Sequence, residues 1–285
     1  MHRMTATLRE LALDNKNWVD EPDADPDKTK WVSSWAATPK SLARLAGFPA
    51  LEGLWIGDGG RKNQPAIAGM RRLRVLRLNG VTGNDLDFLS GFASLQLLEL
   101  SSLKATSLGG LEKLQRLECL ILDHAPNLKS LQEIGGLGGL EELFISTPAS
   151  WDLSQKCIEV DTLKPLARLA ELKLLTLRGV RPGKDALRPL AGLKSLRKVE
   201  ISHVPSFTVE DFASLAGALP RVIGNCLKPH FRMNFPARCK HCGATLEWLT
   251  GSAGRRRSLC PICDKDKLAA HVAEFMRIKQ SVAVS

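Results

Sequence analysis

A six-residue pattern with apolar side chains at its first, fourth and sixth positions recurs along most of the chain. It reads LEGLWI from Leu51, LRVLRL from Leu73, LQLLEL from Leu95 and LECLIL from Leu117. It continues as LEELFI from Leu140, LKLLTL from Leu172 and LRKVEI from Leu196. The steps between these copies are 22, 22, 22, 23, 32 and 24 residues. LRELAL from Leu8 fits the same template, and LPRVIG from Leu219 fits it loosely. A helical chain rich in leucine would instead keep i, i+3, i+4, i+7 spacing over longer windows. A hexamer repeating at a near-constant step predicts one strand per repeat. One copy cannot bury its own leucines, so the copies must stack, with Leu73, Leu76 and Leu78 and their equivalents pointing into one continuous core. The intervening segments SLGGLEKLQR, SLQEIGGLGG, PLARLAEL and PLAGLKSL carry a second apolar set and predict short helical or irregular turns on the outer side.

L-x-x-L-x-L at a step near 22 resembles the strand signature of the short class of leucine-rich repeats, over about residues 8 to 225. The resemblance implies an α/β solenoid: an arc with a parallel, concave β-sheet inside. It also implies a protein that binds other proteins. The family's asparagine after the strand is mostly missing. Gly59, Val81, Leu103 and Ala125 stand there instead, so the turns must satisfy their backbone groups by other means. The expected division is an N-terminal cap over residues 1–50, a solenoid over 51–225 and a C-terminal module over 226–285. The cap contains a degenerate first repeat and a tryptophan-rich insertion.

Two insertions break the period. The first, between Leu8 and Leu51, carries Trp18, Trp31 and Trp35 around an acidic, proline-containing tract. The second includes PASWDLSQKC. Tryptophans in such places serve either to cover an open solenoid end or to anchor a partner, and covering is the simpler role.

Template positions 3, 5 and 7 point away from the core, onto the concave face. Position 5 places Trp55, Arg77, Glu99, Ile121 and Phe144 in a row. Position 7 adds Asp123 and Arg178. An apolar centre with a charged rim is the composition of a protein interface, although Ile121 and Phe144 could equally pack beneath an inserted loop. The row is poor in Lys and Arg, which argues against nucleic acid on this face. Cys119, at a position 3, could reach the surface, but with no motif and no His partner it reads as an unreactive cysteine.

Near the C-terminus, Cys239-x2-Cys242 and Cys260-x2-Cys263 are separated by 17 residues, the spacing of a zinc ribbon. Four thiolates complete a tetrahedral shell and leave no open position, so one structural Zn²⁺ is expected there, with iron the minor alternative. Cys226, His230 and His241 are surplus to that shell. Arg255, Arg256 and Arg257 follow the ribbon's turn and are the candidate nucleic-acid contacts, against the simpler reading of a solvated charge run. The last segment, DKDKLAAHVAEFMRIKQ, predicts a helix. Leu268, Val272, Phe275 and Met276 would lie on the face packed against the ribbon or the last repeat.

Composition adds little that is specific. The formal net charge of +10 is uneven: 11 Lys/Arg stand against 4 Asp/Glu from Cys226 onward, and 29 against 26 before it. Seven cysteines, four of them at metal spacing, do not read as a disulfide framework. No apolar run is long enough to span a membrane and no secretion signal is legible, so the expectation is a cytoplasmic protein, bacterial in origin. No phosphate loop, dinucleotide fingerprint or nucleophile elbow occurs, and Asp123-His124 and Ser202-His203 point apart on a strand. The sequence thus predicts a non-enzymatic scaffold that binds a partner protein through its concave face and inserted loops. A nucleic-acid adaptor working through the ribbon is the alternative.

Overall fold

The computed structural model describes residues 8–147, 157–202, 207–232, 237–252 and 258–283. Among them, nine strands form one parallel sheet: β1 (Val19–Asp20), β2 (Trp31–Ser34), β3 (Gly53–Ile56), β4 (Val75–Asn79), β5 (Leu97–Ser101), β6 (Cys119–Asp123), β7 (Glu142–Ser146), β9 (Leu174–Arg178) and β11 (Lys198–Ile201). The omitted strands, β8 (Ile158–Thr162) and β10 (Val180–Lys184), pair with each other in a separate parallel ribbon. The second insertion thus contributes β8; its residues 148–156 lie outside the described set.

The register is strict. Gly53 pairs with Val75, Val75 with Leu97, Leu97 with Cys119 and Cys119 with Glu142, so each template position stands over its counterpart in the next repeat. Leu76, Leu98, Leu120, Leu143 and Leu175 are fully buried in a row and belong to one core running from Ala24 to Phe275. The outer turns close with short 3-10 helices, such as Leu111–Lys113 and Arg188–Gly192, which bury Leu111 and Leu190. This is a leucine-rich-repeat solenoid.

The turns after the strands solve the missing-asparagine problem with backbone groups. Gly80, Ser102, His124 and Gly179 adopt left-handed conformations at the first turn residue. There the N–H of Gly80 donates to Ser101 O, that of Ser102 to Asp123 O and that of His124 to Ser146 O. His124 is therefore a turn residue. On the other edge, Lys30, Glu52, Arg74, Gln96 and Glu118 form a side-chain ladder with links of 2.7–3.1 Å.

The first insertion is a concealed repeat. Thr29-Lys-Trp-Val-Ser-Ser34 lies 22 residues before the copy at Leu51, and Trp31 pairs with Gly53. Helix α2 (Pro39–Ala46), capped by Thr38 and Ser41, takes the outer place and buries Leu42 and Leu45. LRELAL at Leu8 is not a strand: residues Leu8–Leu13 form a short helix, α1. Leu, Arg, Glu and Ala are among the strongest helix formers, and the segment lacks the β-branched residues that favour strands.

At the C-terminal end, α4 (Val209–Ala218) and α5 (Lys265–Ala283) close the core, the outer turns having used α3 (Gln64–Ala68) earlier in the chain. A side chain at Gly217 would come within 2.5 Å of Lys279 O, so the two helices cross closely there. Phe275 is fully buried in the solenoid core, as expected, but Met276 is exposed and Ile278 takes its place on the inner face. In the chain between these helices, an antiparallel sheet forms from β12 (His230–Phe231), β13 (Glu247–Leu249) and β14 (Ser258–Leu259). Gly251, left-handed at φ 73°, lies against Thr208 and Val209 at the start of α4.

Because Leu120 is fully buried in the ladder, Leu120→Ala is expected to cost about 2–5 kcal/mol in urea unfolding. Leu11→Ala, at a site 40% exposed, should stay within about 0.5 kcal/mol.

Candidate functional site on the concave face

The predicted concave row is assembled: Trp55, Arg77, Glu99, Ile121 and Phe144 are cross-strand neighbours in sequence of repeats. Asp123 and Arg178 lie on the adjacent row beyond them, and Arg178 is exposed and paired with Glu200 at 2.8 Å. Of the two expectations for the apolar members, solvent contact or packing beneath another segment, the second is nearer to what is seen. Trp55, Ile121 and Phe144 pack, partly buried, into a second hydrophobic cluster with Leu8, Ala12, Trp18, Val75, Leu97 and Cys119. The cover is α1, which lies across the concave face from β4 to β7. Ala12 of α1 and Val75 and Leu97 beneath it are fully buried.

Arg77 holds the arrangement together. Its Nε and Nη2 donate to the two Glu99 carboxylate oxygens at 2.8 and 3.3 Å. Its Nη1 donates to Ala12 O at the C-terminal end of α1, at 3.2 Å. Its guanidinium also sits 4.0 Å from the centroid of Trp55. Trp18 Nε1 donates to the same Ala12 carbonyl at 3.0 Å, and the Trp18 ring meets Trp31 and Trp55 edge to face. Trp35 stacks edgewise on Trp55 but remains 59% exposed. The tryptophans therefore cover the N-terminal end of the face, with Trp35 at its margin.

The other end of α1 is held differently. Arg9 Nε lies 3.4 Å from Glu142 Oε2, and its guanidinium is 4.2 Å from the Phe144 ring centroid. Both paired atoms are buried, and neither makes a hydrogen bond. Burial raises the Glu142 carboxyl above its ordinary range, with Arg9 opposing. Such a pair gives back little of what its desolvation costs. Cys119 is 5% exposed under this cover, and burial pushes its thiol well above the ordinary value, as suits an unreactive cysteine.

The four paired cysteines form a separate site. Their sulfurs all lie within 4.8 Å of one another, with Cys239–Cys263 at 3.9 Å and Cys242–Cys260 at 3.4 Å. Sulfurs about 2.3 Å from a tetrahedral ion stand roughly 3.8 Å apart, so this set can hold one metal. The knuckle turns are local: Gly243 N–H donates to Cys239 O, and Cys263 N–H to Cys260 Sγ, which pulls the Cys260 thiol down to about 7. Two of the three surplus groups have partners elsewhere. Cys226 is buried against Val199 O, and His230 joins Arg232 on the buried carboxylate of Glu247. Arg255, Arg256 and Arg257 lie outside the described residues.

No family model and no curated protein matches the chain. Solved structures of leucine-rich-repeat proteins do. An internalin (inlF) of Listeria monocytogenes is 17% identical with a TM-score of 0.47, covering 66% of this chain and 62% of that one. Internalin C2 of the same organism is 19% identical with a TM-score of 0.47, covering 65% and 84%. A leucine-rich-repeat protein of Leptospira interrogans is 17% identical at 0.33, covering 68% and 59%. The chain thus spans about three fifths of the first and third. At these identities the likeness is one of fold, which the strand register already defines, and no partner passes from them to this chain. Among the described residues, no helix is long and apolar enough to cross a membrane.

Cys119 reports on the cover. In the folded protein it is expected to resist an alkylating reagent. Ala12→Asp, which puts a charge into the α1 contact, should speed its modification roughly tenfold or more, as followed by peptide mass mapping.

Proposed function

We propose that the protein is a non-enzymatic protein-interaction scaffold. In this reading the repeats present the concave face and its bordering loops to a partner protein. Residues 226–285 form a zinc-ribbon module, with Cys239, Cys242, Cys260 and Cys263 as the ligands of one structural Zn²⁺ and α5 as its anchor. Residues 1–50 cap the other end. The observation that carries the reading is the way the concave row grips a peptide helix: an apolar centre, an arginine on a helix-end carbonyl and a carboxylate beside an aromatic ring. Trp55, Arg77, Glu99, Ile121 and Phe144 supply the gripping surface, with Asp123 and Arg178 as charged flanks. The metal module supports the scaffold by closing its open end, since four thiolates leave no coordination position for substrate.

The partner test uses cross-linked affinity capture with the full chain, followed by rebinding of the identified protein in purified form. Asp123→Lys with Arg178→Glu reverses two charges on the face while leaving the α1 contacts at Arg77, Glu142 and Phe144 in place. The double change is expected to weaken binding about tenfold or more. Unchanged affinity would remove the concave face from the reading. Capture of nucleic acid instead, with affinity falling steeply as salt rises, would favour the ribbon as the functional surface.

Metal analysis of the purified chain is expected to give about one zinc per molecule, and Cys260→Ser to lose most of it. Chelation should raise amide exchange in residues 226–285 before it does so in the repeats.

A further inference from the structure

We propose that the four-cysteine cluster is an oxidant-responsive clasp: a peroxide that converts its thiolates to disulfides frees the metal ion and loosens the start of α5 at the end of the solenoid. This rests on the metal reading above and adds a control to it. The cluster lies within reach of solvent. Cys242 and Cys263 are exposed, Cys239 is half-buried, and Cys260 is buried. Metal-bound sulfur is held deprotonated, which is the form an oxidant attacks. Cys119 and Cys226 differ on both counts. They are buried, and burial raises both thiols above the ordinary value, Cys226 to about 11, so neither offers a ready thiolate. Cys157, half-buried, is the other thiol that a reagent can reach.

Each exposed sulfur faces a partner on the opposite knuckle. Cys242 Sγ lies 3.4 Å from Cys260 Sγ, and Cys263 Sγ lies 3.9 Å from Cys239 Sγ. Hydrogen peroxide is the oxidant. An exposed thiolate attacks one peroxide oxygen, giving a sulfenic acid and, with one proton taken up, water. The facing thiolate then attacks the sulfenic sulfur. The S–S bond forms and the sulfenic oxygen leaves as a second water with another proton. Two such rounds consume two peroxides and four protons, release four waters and turn four thiolates into two disulfides. A disulfide sulfur is no longer an anionic ligand, so the ion passes into solution.

Cys260 carries the change into the fold. Disulfide sulfurs stand about 2.05 Å apart, so those of Cys242 and Cys260 must close by more than about 1 Å. Cys260 is also the residue on which α5 begins. Its N–H donates to Asp264 Oδ2 at 3.2 Å, its carbonyl accepts from the Asp264 N–H at 2.9 Å, and its sulfur accepts from the Cys263 N–H at 3.3 Å. Asp264 O accepts in turn from the Leu268 N–H in the first turn of the helix. Further along, His271 Nε2 lies 2.8 Å from Pro229 O, next to β12, so the same movement reaches the first half of α5. The segment's own packing resists it little. Its strands are two or three residues long, and its buried Leu249 and Leu259 lie outside the continuous core that holds Phe275. The second half of α5 is held by that core and by α4, so the loosening is confined to residues before Phe275.

The experiment uses the full chain carrying Cys157→Ser, purified under reduction and with its metal content measured. Hydrogen peroxide is added in steps. Zinc release is followed with a colorimetric chelator, disulfides are mapped by peptide mass, and amide exchange is compared before and after. About one zinc is expected to be released for every two peroxides consumed. Linked peptides should join Cys242 to Cys260 and Cys239 to Cys263. Exchange in residues 264–272 should speed up at least about tenfold while the repeats stay unchanged, and reductant with added zinc should reverse it. A chain that carries zinc and keeps it under excess peroxide would overturn the proposal. Zinc release that leaves exchange in residues 264–272 unchanged would overturn it too, as would linkage within each Cys-x2-Cys pair. A chain that takes up no zinc would defeat the metal reading and this proposal together, whereas a zinc-loaded, peroxide-resistant chain defeats this proposal alone.

Discussion

A leucine in a single repeat has nowhere dry to go, and this constraint shapes the whole molecule. Burial requires each strand to stand directly over the last, with no slip of register, because a shift of one residue would turn every leucine to the opposite face. Once Leu76, Leu98 and Leu120 are stacked, all other template positions are stacked too. The polar ladder from Lys30 to Glu118 and the concave row from Trp55 to Phe144 are consequences of the same register. Neither needs to be strong to exist. The ladder's exposed pairs contribute little each, and their geometry is set by the core beneath them.

Stacking also leaves two open ends. At the N-terminal end the cover is more of the same material: β2 adds a strand built on Val32 rather than leucine, and β1 adds another. At the C-terminal end the repeat gives way to α4 and α5, with Phe275 inserted into the last leucine layer. The four-cysteine segment is fastened to this cap at specific points. Gly251 abuts the start of α4, and His271 Nε2 lies 2.8 Å from Pro229 O. A cap made of thin pieces gains from an internal staple, which is the role the four cysteines suit.

The repeat itself was legible in sequence because its spacing is nearly invariant and its leucines are unambiguous. The four-cysteine cluster was legible for a similar reason: the spacing encodes a tetrahedron. The concealed repeat at Thr29 was harder to read, since Thr, Val and Ser replace its leucines. Its trace was arithmetic, for a step of 43 residues is close to twice 22. The helical state of LRELAL was available from composition, since a strand of Leu, Arg, Glu and Ala runs against propensity. Its position was not. Arg77 and Ala12 are 65 residues apart, and nothing local to either records that they meet. The register that lines up the concave residues was thus legible, while the segment that covers them was not.

That cover bears on how the face behaves. Had Trp55, Ile121 and Phe144 been open to water, the chain would display an apolar patch liable to association with many surfaces. The cover removes that liability with Ala12 of α1, which is fully buried, and with the Arg9–Glu142 ion pair and the Arg9–Phe144 contact one turn earlier. Arg77 is held within the sheet by Glu99 and Trp55, and that fixed guanidinium is what meets the Ala12 carbonyl, so the contact between sheet and cover starts from a preorganised donor.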